Sequence, residues 1–171
     1  MYFIPPILDN EHQLIAGELG VIFGVTIKWK GLGEAFIGAN VTDRADWETN
    51  YRAPDALVFL NGHAAVDRDT HWLGGPDLAV EILSTGDRSR EKLAFYAAVG
   101  TREVLLIDRD PWRLELYRLT DGEMVEVGHS ELPDAGTLAS AVVPLSFRLI
   151  PGPQRPVIEV TGREPEQSWT I

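Results

Sequence analysis

Cysteine is absent from this chain, which excludes a disulfide framework, a thiolate zinc site and a cysteine nucleophile. No run of about 18 apolar residues occurs, so no membrane span or membrane partner is expected. Positive charge is scarce: 15 Lys and Arg stand against 26 Asp and Glu, for a net charge of −11. A protein that grips nucleic acid through counterion release normally carries a basic field. This one repels a polyanion at long range, so any nucleic-acid contact must use a local basic patch. A nucleotide-binding glycine loop is also missing. GLGEAFIG, residues 31–38, lacks the strand-then-helix context, and no Lys-Ser/Thr follows a glycine run. No nucleophile elbow is present. The opening MYFIPPILDNEHQ has no basic region followed by an apolar one, so it does not read as a secretory signal. A cytoplasmic location is expected.

What remains describes an ordinary globular chain. With 171 residues, 44% of them hydrophobic, a single domain over 1–171 is expected. Ile15, Leu19, Ile22 and Phe23 recur at helical spacing after the cap candidates Asp9 and Asn10. Gly17, Gly20 and Gly24 would let that helix lie close to a sheet. A β-rich stretch over 34–41 follows. APDALVFL and PDLAVEIL read as two apolar strands, joined by a long connection over 61–75. STGDRS is a turn. SREKLAFYAAVG predicts a helix with Asp87 or Ser89 as cap and Gly100 as stop. REVLLID is a strand, RLELYRL and EMVEVG form a hairpin around Asp121-Gly122, and SFRLI and PVIEVT add C-terminal strands. The order predicts an α/β (α+β) mixed sheet with helices packed on it.

The chemistry concentrates in the two apolar strands. Asp77 and Glu81 share a face of PDLAVEIL but lie roughly 13 Å apart along it, too far to hold one ion, and Asp77 reads as structural. Antiparallel pairing with DALVFL brings Asp55 beside Glu81, and Leu60 beside Pro76 and Asp77. Two carboxylates on neighbouring strands suit a magnesium ion, which takes one or two carboxylates and leaves its other positions to water and phosphate. Glu81 stands inside an apolar strand, where burial without a partner is costly. Leu83, two residues on and on the same face, offers no cation. Lys92 opens the next helix and can reach back to Glu81 to stabilise a developing oxyanion. Tyr96 follows one turn later, and Glu18 is a further contributor to a metal site. Arg88, Arg90 and Arg102 form the evident basic patch, with Arg88 and Arg90 as substrate-binding candidates.

These residues carry a resemblance. GPDLAVEILSTGDRSREKLAFYAAVGTREVLLIDRD, with APDALVF upstream, resembles the Uma-two family of restriction endonucleases, within the wider PD-(D/E)XK nuclease superfamily. The likeness runs from Tyr51 to Leu119, with a looser fit to an N-terminal helix carrying His12 and Glu18. It implies a restriction-endonuclease-like core, Asp55 and Glu81 as ligands of Mg2+ or Mn2+, and Lys92 as a displaced catalytic lysine. Leu83 departs from the superfamily's E-x-K, so the chemistry rests on Lys92. The expected function is a magnesium-dependent endonuclease acting on phosphodiesters of nucleic acid. The alternative, favoured by the negative charge and Leu83, is a non-catalytic protein-interaction module of the same fold. His63 and His71 read as surface residues, and the scattered tryptophans as core or interface. The 61–75 connection is expected to pack against a second copy in a homodimer.

Overall fold

A computed structural model describes residues 9–84, 89–164 and 167–171. Helix α1 spans Asn10–Phe23 and runs on into a turn of π-helix, Gly24–Lys28. The strands are β1 (Gly33–Phe36), β2 (Val41–Thr42), β3 (Tyr51–Arg52), β4 (Ala56–Leu60), β5 (Val66–Asp67), β6 (Trp72–Leu73) and β7 (Leu78–Ile82). A single turn of 3-10 helix, Ser89–Lys92, leads into α2 (Leu93–Ala98). Then follow β8 (Glu103–Arg109), β9 (Trp112–Thr120), β10 (Glu123–Ser130), β11 (Leu138–Ala139), β12 (Leu145–Ile150), β13 (Val157–Gly162) and β14 (Ser168–Thr170). Among the described residues no helix is long and apolar enough to cross a membrane.

The central sheet has six strands in the order β1-β4-β7-β8-β9-β10. β7 and β8 are parallel and joined through α2, a βαβ crossover. β4 and β7 pair antiparallel, with Ala56 opposite Val80 and Val58 opposite Leu78. β11 to β14 form a second sheet. β9 and β10 form the expected hairpin, turning at Asp121 and Gly122 with φ of 50° and 86°, the left-handed pair that a tight two-residue turn requires.

Side chains alternate across the central strands and feed two cores. Val80, Ile82, Leu105 and Ile107 face Ile15, Leu19 and Ile22 of α1 and Phe147 and Ile158 of the second sheet. Leu57, Ala79, Val104 and Leu106 face Tyr96 and Val99. Both faces of β7 are therefore covered, which is why its five residues are all buried and read as a continuous apolar run.

Several expectations need correction. The β-rich stretch over 34–41 is strand only through Phe36 and again at Val41, which opens β2. The 61–75 connection contains β5 and β6, which join β2 and β3 in a small sheet. There Trp72 stacks on Phe59 at 4.1 Å. Among the described residues nothing beyond the helix's own backbone and chain neighbours lies within 4 Å of where a Cβ would stand at Gly17 or Gly24; of the three glycines only Gly20 is approached closely, by the Ile37 side chain. Asp87 lies outside the described residues, as does most of the STGDRS turn. Ser89 opens the 3-10 turn, and the cap position of α2 falls to Lys92, which makes no side-chain capping bond. Gly100 stops the helix as expected, with φ of 81°.

Candidate functional site

The pairing of β4 with β7, continued one residue beyond Ala56 and Val80, sets Asp55 opposite Glu81. Both stand at the C-terminal end of β7, where α2 and the first turn of α1 converge. Asp55 has a contact at each oxygen. The Ile82 backbone N–H donates to Oδ2 at 2.7 Å, and His12 Nε2 lies 3.2 Å from Oδ1. His12 is 2% exposed, and its Nδ1 has no hydrogen-bond partner among the described residues. Asp9 caps α1 by accepting from the His12 backbone N–H at 2.9 Å, which fixes the turn that presents the imidazole.

Glu81 is 3% exposed. Lys92 Nζ lies 2.9 Å from Oε2, and the Tyr96 hydroxyl donates to Oε1. Lys92 reaches the strand because the crossover starts α2 at the carboxyl end of β7. Tyr96, one turn further along, is wholly buried, so its hydroxyl must find a partner inside. Burial pushes the Glu81 carboxyl above its ordinary 4.5; the Tyr96 hydrogen bond and the Lys92 charge oppose the rise, and the Asp55 charge adds to it. The Tyr96 phenol is pushed up by burial and by the neighbouring charges of Glu81 and Asp55.

Leu83, at the superfamily's lysine position, is 4% exposed and belongs to the α2-side core. The ammonium nearest Glu81 is that of Lys92, at the end of the 3-10 turn that leads into α2.

A glutamate buried in a strand is not by itself diagnostic, because Glu103 and Glu115 are buried too. Glu103 receives Arg118, the Ser140 hydroxyl and the Ala141 N–H, and so ties the second sheet to β8. Glu115 is surrounded by Arg90, Arg113 and Tyr117. Burial works against its ionisation, but those hydrogen bonds and charges outweigh it and its pKa is lowered. Glu81 shifts the other way, since its burial outweighs one lysine and a neutral hydroxyl, with a small addition from the Asp55 carboxylate. A raised carboxylate with a specific charge partner marks a functional candidate.

The remaining sequence candidates fall elsewhere. Asp77 stands at the far end of β7, where Oδ2 accepts from the Leu60 N–H at 2.7 Å and Oδ1 from Arg102 at 3.0 Å; it locks the β4–β7 register and is not part of the cluster. Glu18 is exposed, on the side of α1 away from the buried stripe of His12, Ile15 and Leu19. Arg90 is taken up by Glu115 at 2.6 Å and Asp108 at 3.3 Å. Arg88 lies outside the described residues. His12 is the member that sequence reasoning missed as a contact of Asp55. Its signal was a histidine on the apolar stripe of α1, three residues before Ile15.

Among the described residues no group of three or more His, Asp or Glu side chains could enclose a metal ion. The donor set suits an ion held by fewer protein groups. Asp55 and Glu81 are hard oxygen donors; three of their four oxygens accept one hydrogen bond each and Asp55 Oδ1 lies 3.2 Å from His12 Nε2, which leaves lone pairs for an ion. Two carboxylates with solvent and phosphate in the other positions is a common arrangement for magnesium.

Comparison with known proteins bears on the fold and the family. A crystal structure from Anabaena variabilis, described as a putative nuclease belonging to DUF820, superposes with a TM-score of 0.60 at 22% sequence identity, covering 86% of this chain and 75% of that one. It shows the same restriction-endonuclease-like fold. A search of curated proteins gives no match. The model of the Uma2 family, described as putative restriction endonuclease, matches residues 2–149. The chain belongs to the Uma2 family.

Proposed function

We propose that the chain is a metal-dependent nuclease in which Asp55 and Glu81 hold Mg2+ or Mn2+ and Lys92 assists phosphodiester hydrolysis. The observation that carries this reading is the state of Glu81: a buried carboxylate with a raised pKa, opposite Asp55 and bonded to Lys92 and Tyr96. When bound, the ion would supply charge neutralisation at a phosphate oxygen and activation of the attacking water. Tyr96 and Lys92 fix the Glu81 carboxylate by one oxygen each. The Ile82 N–H and His12 fix Asp55 in the same way. The Lys92 side chain is 29% exposed; its ammonium, bonded to Glu81, would offset the negative charge that develops on the phosphoryl oxygens. The raised Glu81 pKa makes cation binding pH-dependent, because the carboxyl must lose its proton first.

A nicking assay on plasmid DNA and on RNA, at low salt with Mg2+ or Mn2+, tests the proposal. Cleavage by the wild type that Lys92→Ala lowers on the order of a hundredfold supports it. Absence of cleavage on both substrates favours the non-catalytic interaction module. A homodimer is part of the same proposal. β5 is an edge strand of the small sheet and carries Val66, 45% exposed, an opening for a second copy. Sedimentation as a monomer at high micromolar concentration rules it out.

A further inference from the structure

We infer that Arg52 is the side chain that grips the substrate phosphate beside this site, an inference that rests on the nuclease reading. With a net charge of −11, a nucleic-acid contact depends on which cations are left uncommitted. Among the described residues every lysine and arginine except Arg52, Arg68 and Arg163 has a carboxylate within ion-pair distance. Arg68 follows β5 in the small sheet, and Arg163 follows β13 in the second sheet. Of these three, Arg52 is the one joined to the Glu81 cluster, through Phe95 and Tyr96. It ends β3, three residues before Asp55. Its guanidinium lies over the Phe95 ring at 5.1 Å from the centroid, and Phe95 packs edge-on against Tyr96 at 5.7 Å, whose hydroxyl holds Glu81. Its charge is felt there, since it opposes the rise in the Tyr96 pKa.

The geometry suits a phosphate. A cation–π contact with Phe95 positions the guanidinium, and one N–H is used on the Tyr51 carbonyl at 2.7 Å. That leaves most of a planar five-donor fork, already held in place, for bidentate contact with phosphate oxygens. Arg90, the candidate from sequence, has Glu115 and Asp108 in those positions instead.

Fluorescence anisotropy with labelled single-stranded and duplex oligonucleotides, in Ca2+ to hold off cleavage, tests this. The variants are Arg52→Gln and Arg52→Lys, with Arg68→Ala as a control for the general field. The expected result is about tenfold weaker binding by Arg52→Gln, with the slope of log K against log salt reduced by about one contact. Arg52→Lys should keep the salt slope and recover only part of the affinity, because the charge stays and the fork is lost. Arg68→Ala should bind as the wild type does. If the wild type binds and Arg52→Gln matches it in affinity and slope, the inference fails while the nuclease reading stands. Equal losses in Arg52→Gln and Arg68→Ala also overturn it, in favour of a diffuse field. A wild type that binds neither oligonucleotide overturns both.

Discussion

Replacing Tyr96 with Phe removes one oxygen from the interior and leaves the ring in place. That oxygen donates to Glu81 Oε1 where the tyrosine is wholly buried and the glutamate 3% exposed. A hydrogen bond to a charged group contributes about 1.5–3 kcal/mol, and no water can replace the hydroxyl without a cavity to hold it. For a chain of this size that corresponds to a fall in Tm of roughly 3–12 °C at neutral pH. The pH dependence is the sharper signature. Folding raises the Glu81 pKa above 4.5, so its contribution to stability is fully present below that value and is lost as pH rises through the folded value. Tyr96 favours the ionised form, so Tyr96→Phe lifts the folded value further. The stability difference between Tyr96→Phe and wild type should therefore be small near pH 4, where the carboxyl is protonated in both, and widen towards pH 8. Urea melts of both proteins across that range measure it, and comparing the pair cancels the other carboxylates. A difference that is flat with pH, or a neutral Tm within a degree of wild type, would refute the coupling between Tyr96 and Glu81.

Lys92→Ala should also cost stability at pH 7, by about 1–3 kcal/mol, since it strips a buried carboxylate of its charge partner; an unchanged urea midpoint would contradict this. Asp77→Asn should lower stability by weakening its bonds to the Leu60 N–H and Arg102, yet leave metal-dependent stabilisation intact, as thermal melts with and without Mn2+ will show. Wild type should gain Tm as Mg2+ or Mn2+ is added, because an ion that binds only the native state stabilises it; Glu81→Gln should not respond. That metal response should weaken as pH falls towards the Glu81 pKa, and a response independent of pH would exclude Glu81 as a ligand.

The central strands were legible because alternation and apolar runs state them directly. The Asp55–Glu81 pairing followed from two strands and an antiparallel register. Lys92 was legible for a similar reason, as a crossover helix must start where its strand ends. Arg52 and His12 were not, because each acts through a contact made in space. His12 lies 43 positions from Asp55 in the chain, and nothing local in the sequence says that α1 crosses the end of β7. Arg90 misled because an arginine's charge is visible in sequence and its neutralisation is not: Glu115 and Asp108 come from β9 and β8. Glu18 was misplaced for a simpler reason. The buried stripe of α1 passes through His12, Ile15 and Leu19 and leaves residue 18 facing solvent.

The most direct measurement is an anomalous difference map from a crystal soaked in Mn2+. One peak is expected between the carboxylates of Asp55 and Glu81, lost in Glu81→Gln. A peak at Asp77 instead, or none at Asp55 and Glu81 at millimolar Mn2+, would contradict it.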